Sequence, residues 1–482
     1  MIDLRPVAYV NGLLLVALGF TMLGPMLADL VAGNGHWKVF AQSAIITVLV
    51  GGLVALSSAN AVSEGLTIRQ TFVLTTLVWV LLPVFGALPF VLGATQAPLV
   101  DAVFESVSGF TTTGATVLVG LDTLPEGILL WRGIIQWLGG IGIIVMAMVF
   151  LPELKVGGMQ VFRSEAFETM GKILPRAAEI ARGISVIYVG MTVACALAYL
   201  AAGKPAFDAV VHSMSTVSTG GFANYDSSFG QYGAAVHYIA IFFMLGSALP
   251  YVRFVQLAAG DGAPLVRDSQ VRVFLSIVAL STVALALTVT LREGAFGEPV
   301  FREALFNVTS IITGTGFASV DYMAWGEFAI TLIFFLGLIG GCAGSTSCSV
   351  KVFRYQILFA SIKAEIRRLH SPHGIFVPRF EGRPLSDDVL DAVMAFFGTF
   401  VLSLGLFTVA LNLSGLDTMT AVSGAATALA NVGPGLGPII GPAGNFAPLN
   451  DTAKWLLTLA MLFGRLELMV VLVLFTSRFW RD

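Results

Sequence analysis

The sequence predicts an all-α polytopic membrane protein. Four pseudo-symmetric membrane–pore–membrane repeats surround a central pore and follow an N-terminal two-helix hairpin, making ten spans and four re-entrant pore helices. Three observations carry this prediction. Of 482 residues, 56% are hydrophobic and only 11% charged, with a mean hydropathy of +0.88; a soluble domain carries about 25% charged residues. Apolar stretches long enough to cross a bilayer, about 20 residues each, run along the whole chain. Four Gly/Thr-rich stretches also recur at matching places, and such a repeat is the mark of an internally duplicated architecture.

In chain order, the spans fall near 8–31, 38–58, 69–93, 128–151, 182–202, 233–257, 270–292, 326–348, 388–412 and 453–477. The N-terminal apolar run is too long for a signal-peptide core and reads as a retained first span. A shorter segment, Pro98 to Phe110, separates the third and fourth spans, and its counterparts run from Pro205 to Val217, Pro299 to Ile312 and Asp417 to Ala430. Three of the four open on a proline near the helix start, where a missing N–H costs little. The divisions are a hairpin at 1–66 and repeats at 67–155, 176–258, 268–370 and 384–482.

Each short segment ends in an irregular loop: Thr111-Thr112-Thr113-Gly114, Ser218-Thr219-Gly220, Gly314-Thr315-Gly316 and Asn431-Val432-Gly433. With Gly114, Gly220, Gly316 and Gly433 aligned, the copies lie 106, 96 and 117 residues apart. Irregular backbone at membrane depth is tolerated only where protein buries it or water reaches it. Rings of backbone carbonyls can replace the hydration shell of potassium. Glycine permits the required conformations, and a neighbouring threonine can either add a hydroxyl ligand or anchor the loop. A half-helix also aims its partially negative C-terminal end at the loop, which favours a cation. Helix-packing glycines explain Gly139, Gly140 and Gly142 within a span, but not the clusters after every short segment.

The Lys and Arg distribution sets the orientation. Nineteen of the 26 basic residues fall on one side, including Lys155, Arg163, Lys172, Arg176 and Arg182 in one loop and Lys351 to Arg383 in another. That side is expected to be cytoplasmic, with both termini inside and the four loops entering from outside. The outer side carries Asp101, Glu105, Asp208, Asp226 and other acids, read either as a cation-concentrating mouth or as solvated loop residues. An enzymatic reading fails for want of a catalytic set: His212 is the nearest imidazole and no acid recurs beside it, so it is expected to be structural or pore-lining. Cys342 and Cys348 lack metal-ligand spacing in their surroundings and read as small packed residues. No organic cofactor site and no nucleic-acid-binding feature is visible.

These loops, in this order, resemble the Trk/Ktr/HKT superfamily of potassium transport proteins, specifically its bacterial TrkH/TrkG-type membrane subunits. The resemblance spans the chain and implies several things together. They are a pseudo-fourfold pore in one chain, a homodimer in the bacterial inner membrane, potassium as the bound and transported ion, and a cytoplasmic TrkA-type nucleotide-binding regulatory subunit. A serine in the first filter position accompanies sodium selectivity in the family, so Gly114 implies potassium. Within 340–349, the small residues Gly341, Gly344, Ser345 and Thr346 correspond to an intramembrane gating loop, although Cys348-Ser349 stands where the family usually carries a Gly pair. Arg465 lies roughly 20 Å into the last span at about 1.5 Å per residue. A charge at that depth is a functional hypothesis, and resemblance assigns it to the gate. A sodium-conducting channel or a cation-coupled symporter on the same scaffold remains an open alternative.

Overall fold

The computed structural model describes residues 2–61, 66–150, 158–159, 177–294 and 297–481. The predicted basic residues Lys155, Arg163, Lys172 and Arg176 lie outside the described residues. Among the described residues helices dominate, and the strands are the two-residue pair Arg379–Phe380 and Arg383–Pro384, joined as a hairpin. Among the described residues, seven helices or helix pairs have the length and apolarity to cross a membrane, or eight if one bent pair is a single span.

The N-terminal hairpin packs Arg5–Thr21 and Leu23–Val31 against Trp37–Ser58. Close approach is possible because Gly12 and Gly51 face each other's backbones; a Cβ on Gly51 would come within 2.8 Å of the Gly12 carbonyl oxygen. The third span starts on a capping box, in which Thr67 accepts from the N–H of Gln70 and the Gln70 side chain returns to the N–H of Thr67.

Three expected spans are interrupted. The segment expected as one helix over 233–257 is two, Ala234–Ser247 and Tyr251–Ala258, meeting at 95°. Pro250 lacks the N–H a continuing helix needs, and its ring disfavours helical backbone at Leu249. The helix expected over 326–348 stops at Leu338, and irregular chain continues until Val352 starts the next helix. The last span breaks after Arg465 and resumes at Met469. Glu467 and Leu468 adopt positive φ of 58° and 20° there, which non-glycine residues rarely do.

The short helices appear within a residue or two of their expected limits: Leu99–Phe110, Ala206–Val217, Glu298–Ile312 and Thr418–Ala430. Pro98 and Pro205 sit at the N-caps of the first two, and the Asp417 side chain caps the fourth by accepting from the N–H of Thr420. Those bonds from Thr420 hold the Asp417 carboxyl below its ordinary range.

Candidate conduction site

One backbone pattern recurs in all four loops. At the end of each short helix, an N–H reaches back five residues: Thr113 to Ser108, Gly220 to Ser215, Thr315 to Ser310 and Val432 to Thr427, at 2.8 to 3.0 Å. The preceding residue in each loop bonds back three, from Thr112, Thr219, Gly314 and Asn431. Left-handed φ falls on that same residue (53°, 50°, 75° and 52°) and again two residues on, at Gly114, Gly221, Gly316 and Gly433. Asparagine tolerates this region, whereas Thr112 and Thr219 are strained in it.

The equivalent of Gly114 in the second loop is therefore Gly221, one residue beyond the glycine chosen by sequence alignment. The structurally matched stretches are Thr111–Gly114, Ser218–Gly221, Thr313–Gly316 and Ala430–Gly433. Gly221, Thr313 and Ala430 are the members sequence reasoning missed; the signal for Gly221 was present as a second adjacent glycine.

The four loops close on one another. A Cβ on Gly114 would overlap the carbonyl oxygen of Gly220, one on Gly221 that of Thr315, and one on Gly316 that of Val432. A Cβ on Gly433 would stand 2.7 Å from the carbonyl oxygen of Thr113. Each glycine thus rests on the carbonyl preceding the next loop's glycine, and the fourth returns to the first. All four glycines line one cavity of about 170 Å³, together with Thr116, Phe222, Asp226, Pro434 and Phe446 among others.

The hydroxyls of Thr111, Thr113, Thr313 and Thr315 are committed to hydrogen bonds within the protein. Thr111 donates to the Val107 carbonyl at 2.7 Å and Thr313 to that of Thr309 at 2.8 Å, and each also pairs with the hydroxyl two residues on. Thr113 additionally accepts from the Asn431 amide at 2.9 Å. These bonds anchor the loops to the helices behind them and to one another.

A second recurrence ties each loop's exit to its helix. Glu105 accepts from the N–H of Val117 at 2.9 Å and Asn307 from that of Ser319 at 3.3 Å. His212 accepts from the N–H of Asn224 at 3.1 Å, and Ser423 from that of Leu436 at 2.9 Å. Glu105, His212 and Asn307 each stand nine residues before the loop glycine. His212 is thus a loop anchor through a neutral ring nitrogen. His212→Asn keeps an acceptor there and is expected to retain most transport, whereas His212→Leu, which orphans the Asn224 N–H, lowers the amount of folded protein; ion uptake and size-exclusion yield measure the two.

Several acids assigned to an open outer mouth are engaged, with Glu105 and Asp208 buried and Asp101 half-buried. Glu105 is fully buried and meets Arg132 at 2.8 Å. Arg132 also donates to the Ala223 carbonyl at 2.7 Å and lies over the Phe222 ring. Asp101 pairs with Lys454 at 2.6 Å, and Asp208 accepts from Asn224, Tyr225 and Tyr232. Gln136 braces the second loop, donating to the Gly220 carbonyl and accepting from the Phe222 N–H. Removing one partner of a buried pair strands the other charge and costs about 3–5 kcal/mol. Arg132→Met is accordingly expected to lower the thermal transition of the purified protein sharply; an unchanged transition would show that the Glu105–Arg132 pair contributes little.

Beneath the loops lies the irregular segment between Leu338 and Val352. Gly341, Gly344, Ser345 and Thr346 are all buried within it. It is pinned to the 95° bend: the Cys342 N–H donates to the Ala248 carbonyl at 2.9 Å, the Thr346 hydroxyl to that of Ser247 at 3.0 Å, and the Tyr251 N–H to that of Gly344 at 3.0 Å. Gln270 accepts from the Ala343 N–H at 2.9 Å. Ser349, at φ 61°, ties the segment to the fourth loop by donating through its N–H and hydroxyl to the Ala430 carbonyl. The Cys348 sulfur sits 3.3 Å from the Thr112 hydroxyl and accepts from Arg465 at 2.9 Å. The two residues that depart from the usual Gly pair therefore both make specific contacts.

Arg465 is buried, donates a second bond to the Gly139 carbonyl at 3.2 Å and lies over the Trp79 ring. It does not pair with Glu467, which instead meets buried Arg354 at 2.6 Å.

A closed ring of four backbone loops inside a helical membrane bundle defines a transport protein rather than an enzyme. The family described as TrkH, cation transport protein, matches residues 36–481. The chain belongs to that family. It is 46% identical to the Trk system potassium uptake protein TrkI of Halomonas elongata, covering 99% of this chain and 97% of that one. Identity to the TrkH protein of Salmonella typhimurium is 38%, and to the TrkG protein of Escherichia coli 33%, each covering 99% of both chains. The crystal structure of the potassium transporter TrkH from Vibrio parahaemolyticus superposes with a TM-score of 0.91 at 35% identity, covering all of both chains.

Proposed function

We propose that this protein takes up potassium across the bacterial inner membrane through a selectivity filter of backbone carbonyls contributed by its four loops. The observation that carries this reading is the cyclic closure of Gly114, Gly221, Gly316 and Gly433 on one another's neighbouring carbonyls. In extended chain, successive carbonyls face opposite sides; a left-handed residue at every second position turns neighbouring carbonyls the same way. Four such segments can present stacked oxygens to a dehydrated ion, and the four short helices aim their negative ends at it. Its relatives' names as potassium uptake proteins point the same way.

The segment around Gly341, Gly344, Ser345 and Thr346 acts as the gate, with Arg465 holding it beneath the filter through Cys348. A homodimer with cytoplasmic termini, the repeats divided at 67–155, 176–258, 268–370 and 384–482, completes the reading. A TrkA-type nucleotide-binding subunit docks on the basic face that includes exposed Lys363, Arg367 and Arg368. The helix bearing those residues, Val352–His370, continues directly from the gate segment. Its Arg354 also grips Glu467, two residues from Arg465, so a pull on this helix reaches both sides of the gate.

The test is rubidium and sodium flux into liposomes holding the purified chain, with and without a soluble partner. Strong discrimination against sodium supports the reading. Equal permeation of the two ions, which a sodium-conducting relative would give, overturns it.

A further inference from the structure

An apolar cavity of about 490 Å³ opens between the N-terminal hairpin and the first repeat. Its walls include Leu14 and Ala17 from the first helix, Leu74 and Trp79 from the third span, and Phe110 and Gly142. Leu14, Ala17 and Gly142 are exposed and form its rim, while Trp79 and Phe110 are buried at its back. The rim residues lie on two helices long and apolar enough to span the membrane, so the medium it meets is hydrocarbon. An apolar cavity of about 150 Å³ already stays dry and takes up benzene; this one is more than three times larger and offers water almost no hydrogen-bond partner. Empty, it would forfeit the dispersion contacts of every side chain around it.

We propose that this cavity is a binding site for a lipid acyl chain that enters sideways from the bilayer. Its position gives the site a second consequence. Trp79 lies over the Arg465 guanidinium, and Gly139, another wall residue, supplies the carbonyl that Arg465 grips. Phe110 immediately precedes the first loop of the ring. A chain seated here buttresses the ring and the carbonyl that hold Arg465, and ties the gate to the lipid around it. The effect on flux rests on the gating role proposed for Arg465; occupancy of the cavity does not.

The experiment is quenching of tryptophan fluorescence in liposomes of phosphatidylcholine brominated at mid-chain. The difference between the wild type and Trp79→Phe isolates Trp79 from the other six tryptophans. A Cβ on Gly142 would meet only Trp79, at 3.8 Å, so Gly142→Leu projects into the cavity and fills it. Ala17→Leu blocks the rim from the opposite helix and serves if Gly142→Leu fails to fold. The expected result is strong quenching of the Trp79 component in the wild type and its loss in the filled variant. A Trp79 component that escapes quenching, because the cavity is empty or because a second copy of the chain covers it, overturns the proposal. So does equal quenching in wild type and filled variants, which would reflect general bilayer lipid alone. If Trp79 is quenched as expected but flux is indifferent to filling, the binding site stands and the coupling to Arg465 fails.

Discussion

Gly221→Ala is expected to abolish potassium flux, while Gly220→Ala, one residue away, leaves part of it. The Gly221 backbone has φ of 81°, and a Cβ there would overlap the carbonyl oxygen of Thr315 with only backbone in its way. The left-handed conformation alone costs a side chain about 1–3 kcal/mol, and relief of the overlap requires the Thr315 carbonyl to leave its place in the ring. Gly220 is not left-handed, and its added Cβ would press on the Gln136 side chain, whose displacement costs its two bonds to the loop but requires no carbonyl of a neighbouring loop to move. A loss of about tenfold or more in rubidium uptake for Gly221→Ala corresponds to at least ~1.4 kcal/mol, within what these two penalties supply. The same logic makes Gly114→Ser costly, because its Cβ would meet the Gly220 carbonyl, and weaker potassium-over-sodium selectivity is its expected mark. If Gly220→Ala proved the more damaging of the pair, the register of the second loop would be wrong.

Arg465→Ala is expected to raise basal flux in the absence of any partner subunit. Its guanidinium spans the gap between the irregular 339–351 segment and the fourth span, from the Cys348 sulfur to the Gly139 carbonyl. Hydrogen bonds of a charged donor contribute roughly 1.5–3 kcal/mol each; under the proposed gating role, loss of one such bond from the shut state shifts the open fraction about tenfold or more. Liposome flux without partner is the readout, and Arg465→Lys, which keeps the charge but not the planar fork, is expected to fall between. Unchanged or lower flux in Arg465→Ala would remove this residue from the gate.

Much of this architecture was legible because hydropathy and glycine spacing are one-dimensional signals. The four short helices lie where Pro98, Pro205, Pro299 and Asp417 mark their starts, since those residues act through local backbone chemistry. Direction was harder to read. The apolar run over 233–257 has the composition of one span, and hydropathy is blind to the 95° turn that Pro250 imposes. The second loop was misread by one residue because Ser218-Thr219-Gly220-Gly221 offers two glycines, and only φ and the five-residue hydrogen bond tell them apart. Long-range pairs were invisible: Asp101 and Lys454 are 353 residues apart, and Arg354 and Glu467 are 113 apart. Glu105 was read as an acid at the mouth because nothing in its own helix reveals Arg132. The break after Arg465 is preceded by Gly464 but holds no glycine or proline itself; the chain there adopts positive φ at Glu467 and Leu468.

The central claim is that four unequal loops, matched at Gly114, Gly221, Gly316 and Gly433, form one ring that strips and holds a potassium ion. Anomalous diffraction from crystals of this protein soaked in rubidium tests it most directly. Rubidium density is expected on the axis of the ring, within coordination distance of carbonyls from all four loops, and its loss is expected in Gly221→Ala crystals. Rubidium bound elsewhere in the bundle, or none on that axis in crystals whose four loops are intact, would contradict it.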